Sequence, residues 1–346
     1  MVTFRKLFQT RNPFELSPGR KGLSYIVLGL WTFVVLFPLY WLVVTAFKAP
    51  ADVDAGPKFI PWVDFQPTSY AWDEMLGEPI MGSYVVRSYL NTVIVGTTSS
   101  LVALLLGSLA AYALTRFKYR PKPGLIAVFA GCLFLAVGLV AIGLPWTLAF
   151  VVGVAVFVLL AQALGRRFKG TMTNDDISFW LISQRMLPPI VTIIPIYILF
   201  QSLHMLDTRE ALIISYCAAF LPLAVWFMRD YFQNIPLELE ESAFIDGATR
   251  FQVLRQIVLP LSAPGLVATY LIILVFAWNE YTLALFLSGA NAQTLPLVVQ
   301  AQNATRGPQW WNISLLVLLM IAPIILAAIV LERFIARGLL IGAVKG

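Results

Sequence analysis

Glu241-Ser-Ala-Phe-Ile-Asp-Gly247, with Ile257-Val-Leu-Pro260 at a fixed distance behind it, is the stretch that decides how this chain reads. It is a charged, helix-patterned insert between long apolar runs. Pro236 suits the first position of a helix, because its missing N–H would be unpaired there anyway. Glu238, Glu240 and Glu241 put negative charge in the early turns, where the helix dipole favours it. Gly247 permits a chain reversal that a β-carbon resists. Thr249 then opens a second helix, with Gln252 three residues on, as a capping box requires. Phe251, Leu254 and Val258 fall on one face of that helix. The pattern is helix, glycine hinge, helix: a rigid projection at a membrane surface.

The membrane is implied by composition. The chain is 59% hydrophobic and 12% charged, with a mean hydropathy of +0.81, outside the range of a soluble globular domain. A transmembrane helix needs roughly 20 predominantly apolar residues. Candidate spans cover 25–47, 89–114, 125–144, 146–164, 177–203, 211–232, 264–287 and 313–334. The expected architecture is an all-α integral membrane protein with about eight spans. A cytoplasmic segment 1–24 and a first span 25–47 precede an external loop 48–88. The transmembrane domain then runs over 89–334, with a cytoplasmic loop 233–262 and an external loop 288–312, and a cytoplasmic tail 335–346 completes the chain. The opening apolar run is too long for a cleavable signal peptide.

Orientation follows from the basic residues. With a cytoplasmic N-terminus, only Lys48, Lys58, Arg87, Arg209 and Arg306 are left for the outer face. The other loop charges, from Arg5 to Lys345, gather on the inner face, as the positive-inside rule requires. The net charge of +6 thus reflects topology and contact with anionic lipid headgroups, not nucleic-acid binding. Cys132 and Cys217 both lie in apolar runs and read as small hydrophobes. His204, the single histidine, reads as an interfacial residue. No phosphate loop, nucleophile elbow or metal-ligand spacing occurs, so no catalytic residue, metal or cofactor is expected. Any ATP hydrolysis must belong to a partner.

The spacing E-S-A-x3-G-x9-I-x-L-P resembles the signature loop of permease subunits of binding-protein-dependent ABC importers, with Ser242 in place of the commoner alanine. The competing reading of that stretch is an ordinary amphipathic interfacial hairpin. Leu90-Asn91-Thr92, Trp278-Asn279-Glu280 and the ending Arg337-Gly-Leu-Leu-Ile-Gly-Ala-Val-Lys-Gly346 are similar to elements of the carbohydrate, maltose-type branch, in its second permease. The resemblance covers the first span, 87–122, and 177 to the C-terminus. It implies a type I ABC importer fold in a bacterial inner membrane, with both termini cytoplasmic. The implied partners are a second permease, two ABC ATPase subunits and an external solute-binding protein, periplasmic or lipid-anchored. It implies that Glu240, Glu241, Ser242, Ala243, Asp246, Gly247, Ile257 and Pro260 form a coupling loop that docks on the ATPase. In the loop between the last two spans, Gln302, Asn303, Arg306, Gln309 and Trp310 would meet the binding protein.

One segment departs from that pattern. Relatives pass from a loop like 116–122 directly into a segment like 178–203, whereas 125–164 here carries no charged residue. A single helix of that length would reach roughly 60 Å, about twice the hydrocarbon thickness. Gly143-Leu-Pro145-Trp146 supplies a turn in the middle, and positive charge flanks both ends, so the expectation is an inserted two-span hairpin packed against lipid.

Polar groups within spans are expensive and tend to mark a pathway. The candidates are Arg185 and Gln184, Gln201, Asn279 and Glu280, with Trp278 and Tyr281 offering aromatic faces and Asn279 an amide for sugar recognition. Leu187-Pro188-Pro189 and Pro195 should kink or unwind the helix around Arg185. The alternative function is an ion-coupled secondary transporter with Glu280 as ion site, although no repeated halves support it. An integral membrane enzyme would need a convergent catalytic set, which is absent.

Overall fold

The computed structural model of the chain describes residues 17–165, 167–168, 170–303 and 307–342. Among these there is no strand, only an isolated bridge between Pro61 and Phe65. The principal helices are α1 (Pro18–Thr45), α2 (Pro79–Arg116), α3 (Pro123–Ala141), α4 (Trp146–Leu164), α5 (Asn174–Ser183), α6 (Pro189–Ser202) and α7 (Arg209–Gln233). They continue as α8 (Leu237–Ile245), α9 (Arg250–Val253), α10 (Ala263–Trp278), α11 (Thr282–Leu287), α12 (Leu295–Ala301) and α13 (Trp310–Gly342). Among the described residues six helices are long and apolar enough to cross a membrane, and up to eight spans result if each of two sharply bent pairs counts as one.

Local sequence explains most boundaries. Ser17 caps α1 by accepting from the Arg20 amide at 3.4 Å, and Pro18 fills the first turn. The helix α2 starts ten residues ahead of the expected span. Along it the hydroxyls of Thr92, Thr97, Ser100 and Thr115 bond back to carbonyls four residues earlier, at 2.6–2.9 Å. Each polar group is thereby satisfied inside its own helix, as an apolar surrounding demands. The expected span 177–203 is two helices, α5 and α6, bent by 90°. Pro188 and Pro189 withhold the amides that would have continued the ladder. The expected span 264–287 is likewise interrupted, α10 ending at Trp278 and α11 starting at Thr282.

The chain divides into two compact units, Met1–Thr92 with Gly289–Leu326, and Val93–Ser288 with Ala327–Gly346. In the first, Ala46, Ala71, Met75, Val85, Leu295, Val298, Leu315 and Leu316 form the core. Asn91 donates to the carbonyls of Asn291 and Gln293 at 2.8 and 2.9 Å, and Thr92 accepts the Leu295 amide at 2.8 Å. The loop after α1 is pinned by Lys48, whose Nζ donates to the Lys58 carbonyl at 2.6 Å and lies 4.3 Å from the Trp41 ring centre. Nearby, the amides of Ile60 and Phe59 donate to Asp64 and hold its carboxyl below the usual range.

In the second unit, α2 packs on α7 and α10 through two glycines spaced eleven apart, about three turns and therefore one face. A β-carbon at Gly107 would stand 2.4 Å from that of Ala224, and one at Gly96 would stand 3.2 Å from the Trp278 ring. The helices α3 and α4 pack principally on each other. Gly143 turns between them at φ +97°. Gly153 sits where a β-carbon would come within 3.1 Å of Ala136, and Phe129 meets Phe157 edge-on at 5.5 Å. This pair forms the hairpin expected from 125–164.

The base of that hairpin is clasped. The Asn174 amide donates to the carbonyls of Leu114 and Phe117, both at 2.6 Å, and its oxygen accepts the Tyr119 amide at 2.9 Å. The Met172 amide reaches the Pro121 carbonyl at 2.8 Å. Lys122 donates to the Gly165 carbonyl at 2.6 Å. The chain thus enters and leaves the hairpin at one place.

Candidate functional site

The projection between α7 and α10 is built as its sequence directs, with Pro236 standing one position earlier, as the N-cap of α8. Gly247 adopts φ +84°. Around it the Ala248 amide bonds the Ala243 carbonyl at 3.0 Å and the Gly247 amide bonds that of Phe244 at 3.1 Å. This pair of bonds is a Schellman closure, and it stops the helix in the one conformation that glycine adopts without strain. Thr249 and Gln252 complete the capping box, with the Thr249 amide donating to Oε1 of Gln252 at 2.7 Å.

Two faces result. Inward, Val253 and Val258 are fully buried, and Ala243, Ala248 and Ile257 pack beside them on Ala111, Met228 and Phe232 from α2 and α7. Outward, Glu241, Ser242, Phe244, Ile245, Asp246, Gly247 and Pro260 are exposed to differing degrees, and Ile245 reaches 87%. The Ser242 hydroxyl bonds back to the Glu238 carbonyl at 2.8 Å, leaving a small outward bump.

Two expectations for this loop are corrected. Phe251 is not on the face of Leu254 and Val258: it is 67% exposed while they are buried. A π turn follows over Leu254–Val258, whose i→i+5 bonds enclose one more residue than those of an α-helix. The turn lies just ahead of Pro260, which has no amide for the Gln256 carbonyl. Glu240, expected in the coupling loop, is not on the exposed face. It is 2% exposed, taking Arg116 Nε on one oxygen at 2.6 Å and the Tyr112 hydroxyl on the other at 2.9 Å. Neither partner was found by pattern reading, since Arg116 counted only as a topological charge and lies 124 positions away.

The residues proposed for a pathway fall into different roles. Trp278 is buried at 3% against Gly96. Asn279 is exposed and donates to the Val275 carbonyl at 2.8 Å. Glu280 takes the Leu283 amide at 2.9 Å and so closes the first turn of α11, while its own carbonyl accepts the Tyr216 hydroxyl at 3.1 Å. Arg185 stands at the bend between α5 and α6, 5.3 and 5.5 Å from the stacked rings of Phe220 and Phe276, and donates to the Ala219 carbonyl at 2.9 Å. Tyr281 is exposed at the mouth of the α10–α11 break.

In the first unit the loop between α12 and α13 is closed at its neck, the Gln309 amide bonding the Gln302 carbonyl at 3.0 Å. Gln302, Gln309 and Glu74 turn their side-chain oxygens onto the buried amide of Asn312, at 3.4, 3.0 and 3.0 Å. The two glutamines, expected to meet a binding protein, are half-buried and tie this neck, and Asn303 and Trp310 are exposed. Arg306 lies outside the described residues, as do 1–16 and 343–346.

The described residues thus form a polytopic helical domain with a capped helix pair projecting between two of its apolar helices, the architecture of an integral membrane protein. Comparison with known proteins gives the family. Residues 172–341 match the binding-protein-dependent transport system inner membrane component family. The diacetylchitobiose uptake system permease protein DasC of Streptomyces coelicolor is 30% identical over 315 residues, 90% of this chain and 92% of its own length. The trehalose/maltose transport system permease protein MalG of Thermococcus litoralis is 27% identical over 322 residues, 92% of this chain and 94% of its own. The same fold occurs in a bacterial ABC transporter involved in import of the acidic polysaccharide alginate. The TM-score is 0.60 at 20% identity, over 93% of this chain and 99% of that one. The chain belongs to the family of binding-protein-dependent inner membrane transport components. It is an ABC transporter permease and a multi-pass inner membrane protein, in a family of transport permeases whose ATP hydrolysis resides in a separate subunit.

Proposed function

We propose that this chain is one of two permeases of an ATP-driven importer for a carbohydrate, a sugar, oligosaccharide or polyol delivered by an external binding protein. The observation that carries the reading is the projection itself. Its inner face is locked to the ends of α2 and α7, while Glu241, Phe244, Ile245, Asp246 and Phe251 stand exposed as a mixed acidic and apolar surface. Such a surface suits a cleft on an ATPase pair. Closure of that pair on ATP would push the projection and tilt the attached spans as rigid bodies, and release of nucleotide would reset the inward-facing state. The carbohydrate class is supported by relatives named for diacetylchitobiose and for trehalose and maltose. The rival ion-coupled reading draws no support from Glu280, whose carboxylate is spent on a helix start.

In this reading both termini and the 233–262 loop are cytoplasmic, and residues 64, 143 and 306 are external. The test is reconstitution of the chain with a co-purifying permease, ATPase and binding protein in vesicles. Uptake of a labelled disaccharide that requires ATP and the binding protein is the expected result. Uptake driven by a proton or sodium gradient without ATP would overturn it. A thiol placed by Gly143→Cys should react with an impermeant reagent from outside, and one placed by Gly247→Cys only from inside.

A further inference from the structure

One side chain joins three elements at the base of the projection. Arg116 is the last residue of α2, and its side chain is 12% exposed. Its Nε holds the buried carboxylate of Glu240 in α8. Its Nη2 donates to the carbonyls of Phe232 and Ile235 at 3.1 and 3.2 Å. The first belongs to the last turn of α7, where helices lack donors, and the second lies just beyond it. The residue four beyond Phe232 is Pro236, which has no amide to give; the Ile235 amide reaches the Phe232 carbonyl at 3.2 Å instead, and the guanidinium adds a charged donor beside it. Tyr112, one turn back on α2, takes the remaining carboxylate oxygen and meets Phe232 edge-on at 6.0 Å.

The apolar seat of the projection is non-directional and tolerates sliding. Charge-assisted hydrogen bonds from a planar guanidinium do not, because their geometry is fixed. We propose that Arg116, Glu240 and Tyr112 form a positioning strut that makes the projection and the ends of α2 and α7 move as one piece. The proposal rests on the ABC importer reading above. In it, force on α8 reaches two spans through this strut, and the surrounding valines and leucines serve as its dry casing. Without the strut α8 would still dock, but its displacement would dissipate as slippage.

The expected signature is uncoupling. The test uses the assembled importer carrying Arg116→Met with Glu240→Leu, a pair that removes the directional tie without leaving a buried charge alone. Sugar transported per ATP hydrolysed should fall about 5- to 20-fold, within the range of intersite couplings, while hydrolysis persists and complex yield is unchanged. A purely structural pair would lower yield and leave that ratio at the wild-type value. An unchanged ratio, or loss of hydrolysis and uptake in equal proportion at normal yield, overturns the proposal. If the double variant does not assemble, Tyr112→Phe decides: the ratio should fall about two-fold or more, as the loss of one hydrogen bond gives, and no change overturns it. Backbone hydrogen exchange over 237–245 separates this outcome from failure of the transport reading. It should speed up in the variants even if the wild-type chain proves not to be driven by ATP, and unaltered exchange counts against the strut alone.

Discussion

Replacing Gly247 by valine tests the projection most directly. The residue has φ +84°, and an added β-carbon would meet nothing within 4 Å. The added β-carbon therefore meets no clash inside the chain, and its intrinsic cost is backbone conformation. Holding an L-residue in the left-handed region costs about 1–2 kcal/mol, with a β-branched residue at the upper end. At about 1.4 kcal/mol per tenfold, the closed turn loses roughly 5- to 30-fold in population against alternatives that swing Ile245 and Asp246 away. Beyond that, the isopropyl group stands on the exposed face and meets the partner. Purified complexes in lipid nanodiscs should then assemble at normal yield yet show little or no sugar-stimulated ATP hydrolysis and no uptake. Gly247→Asn, whose side chain tolerates a left-handed backbone, separates the two effects. It should keep hydrolysis if strain dominates, and lose it if close approach to the partner dominates. Normal stimulated hydrolysis with Gly247→Val would refute the docking role of the turn.

Joining Lys122 to about Thr171 by a short linker should remove the α3–α4 hairpin without disturbing the later helices, because the Pro121 carbonyl and Met172 amide already lie 2.8 Å apart. Uptake should persist with lowered thermal stability, and an assembled complex that transports nothing would make the hairpin part of the mechanism. Gly107→Val should lower the melting temperature through overpacking of roughly 1–3 kcal/mol, since even its β-carbon lands 2.4 Å from Ala224. Gly131→Ala on α3, with nothing within 4 Å, should be neutral or mildly stabilising, and equal melting of the two variants would discount the α2–α7 approach.

The apolar runs, their interruption at Leu187-Pro188-Pro189, the hairpin turn at Gly143 and the caps at Gly247 and Thr249 were all legible in the sequence. Each is a local matter, fixed by amides that proline withholds, by backbone that only glycine relaxes into, or by side chains three residues apart. The 278–281 break was not legible, because Trp278-Asn279-Glu280 contains neither proline nor glycine and the bond from the Leu283 amide to the Glu280 carboxylate appears only in the folded chain.

The sequence by itself also determined the class, since an unpaired backbone in hydrocarbon leaves helices as the solution for apolar runs of this length. Tertiary structure alone decided which polar groups face a partner and which are consumed within the fold. Glu240 and Glu241 are neighbours of the same chemistry, yet one is buried on Arg116 and the other is exposed at the surface. Gln302 and Gln309 look outward by pattern but turn onto Asn312. A carboxylate or amide goes wherever its desolvation is repaid by donors. For Glu240 those donors come from a helix more than a hundred residues away, so only the packing of the chain assigns them.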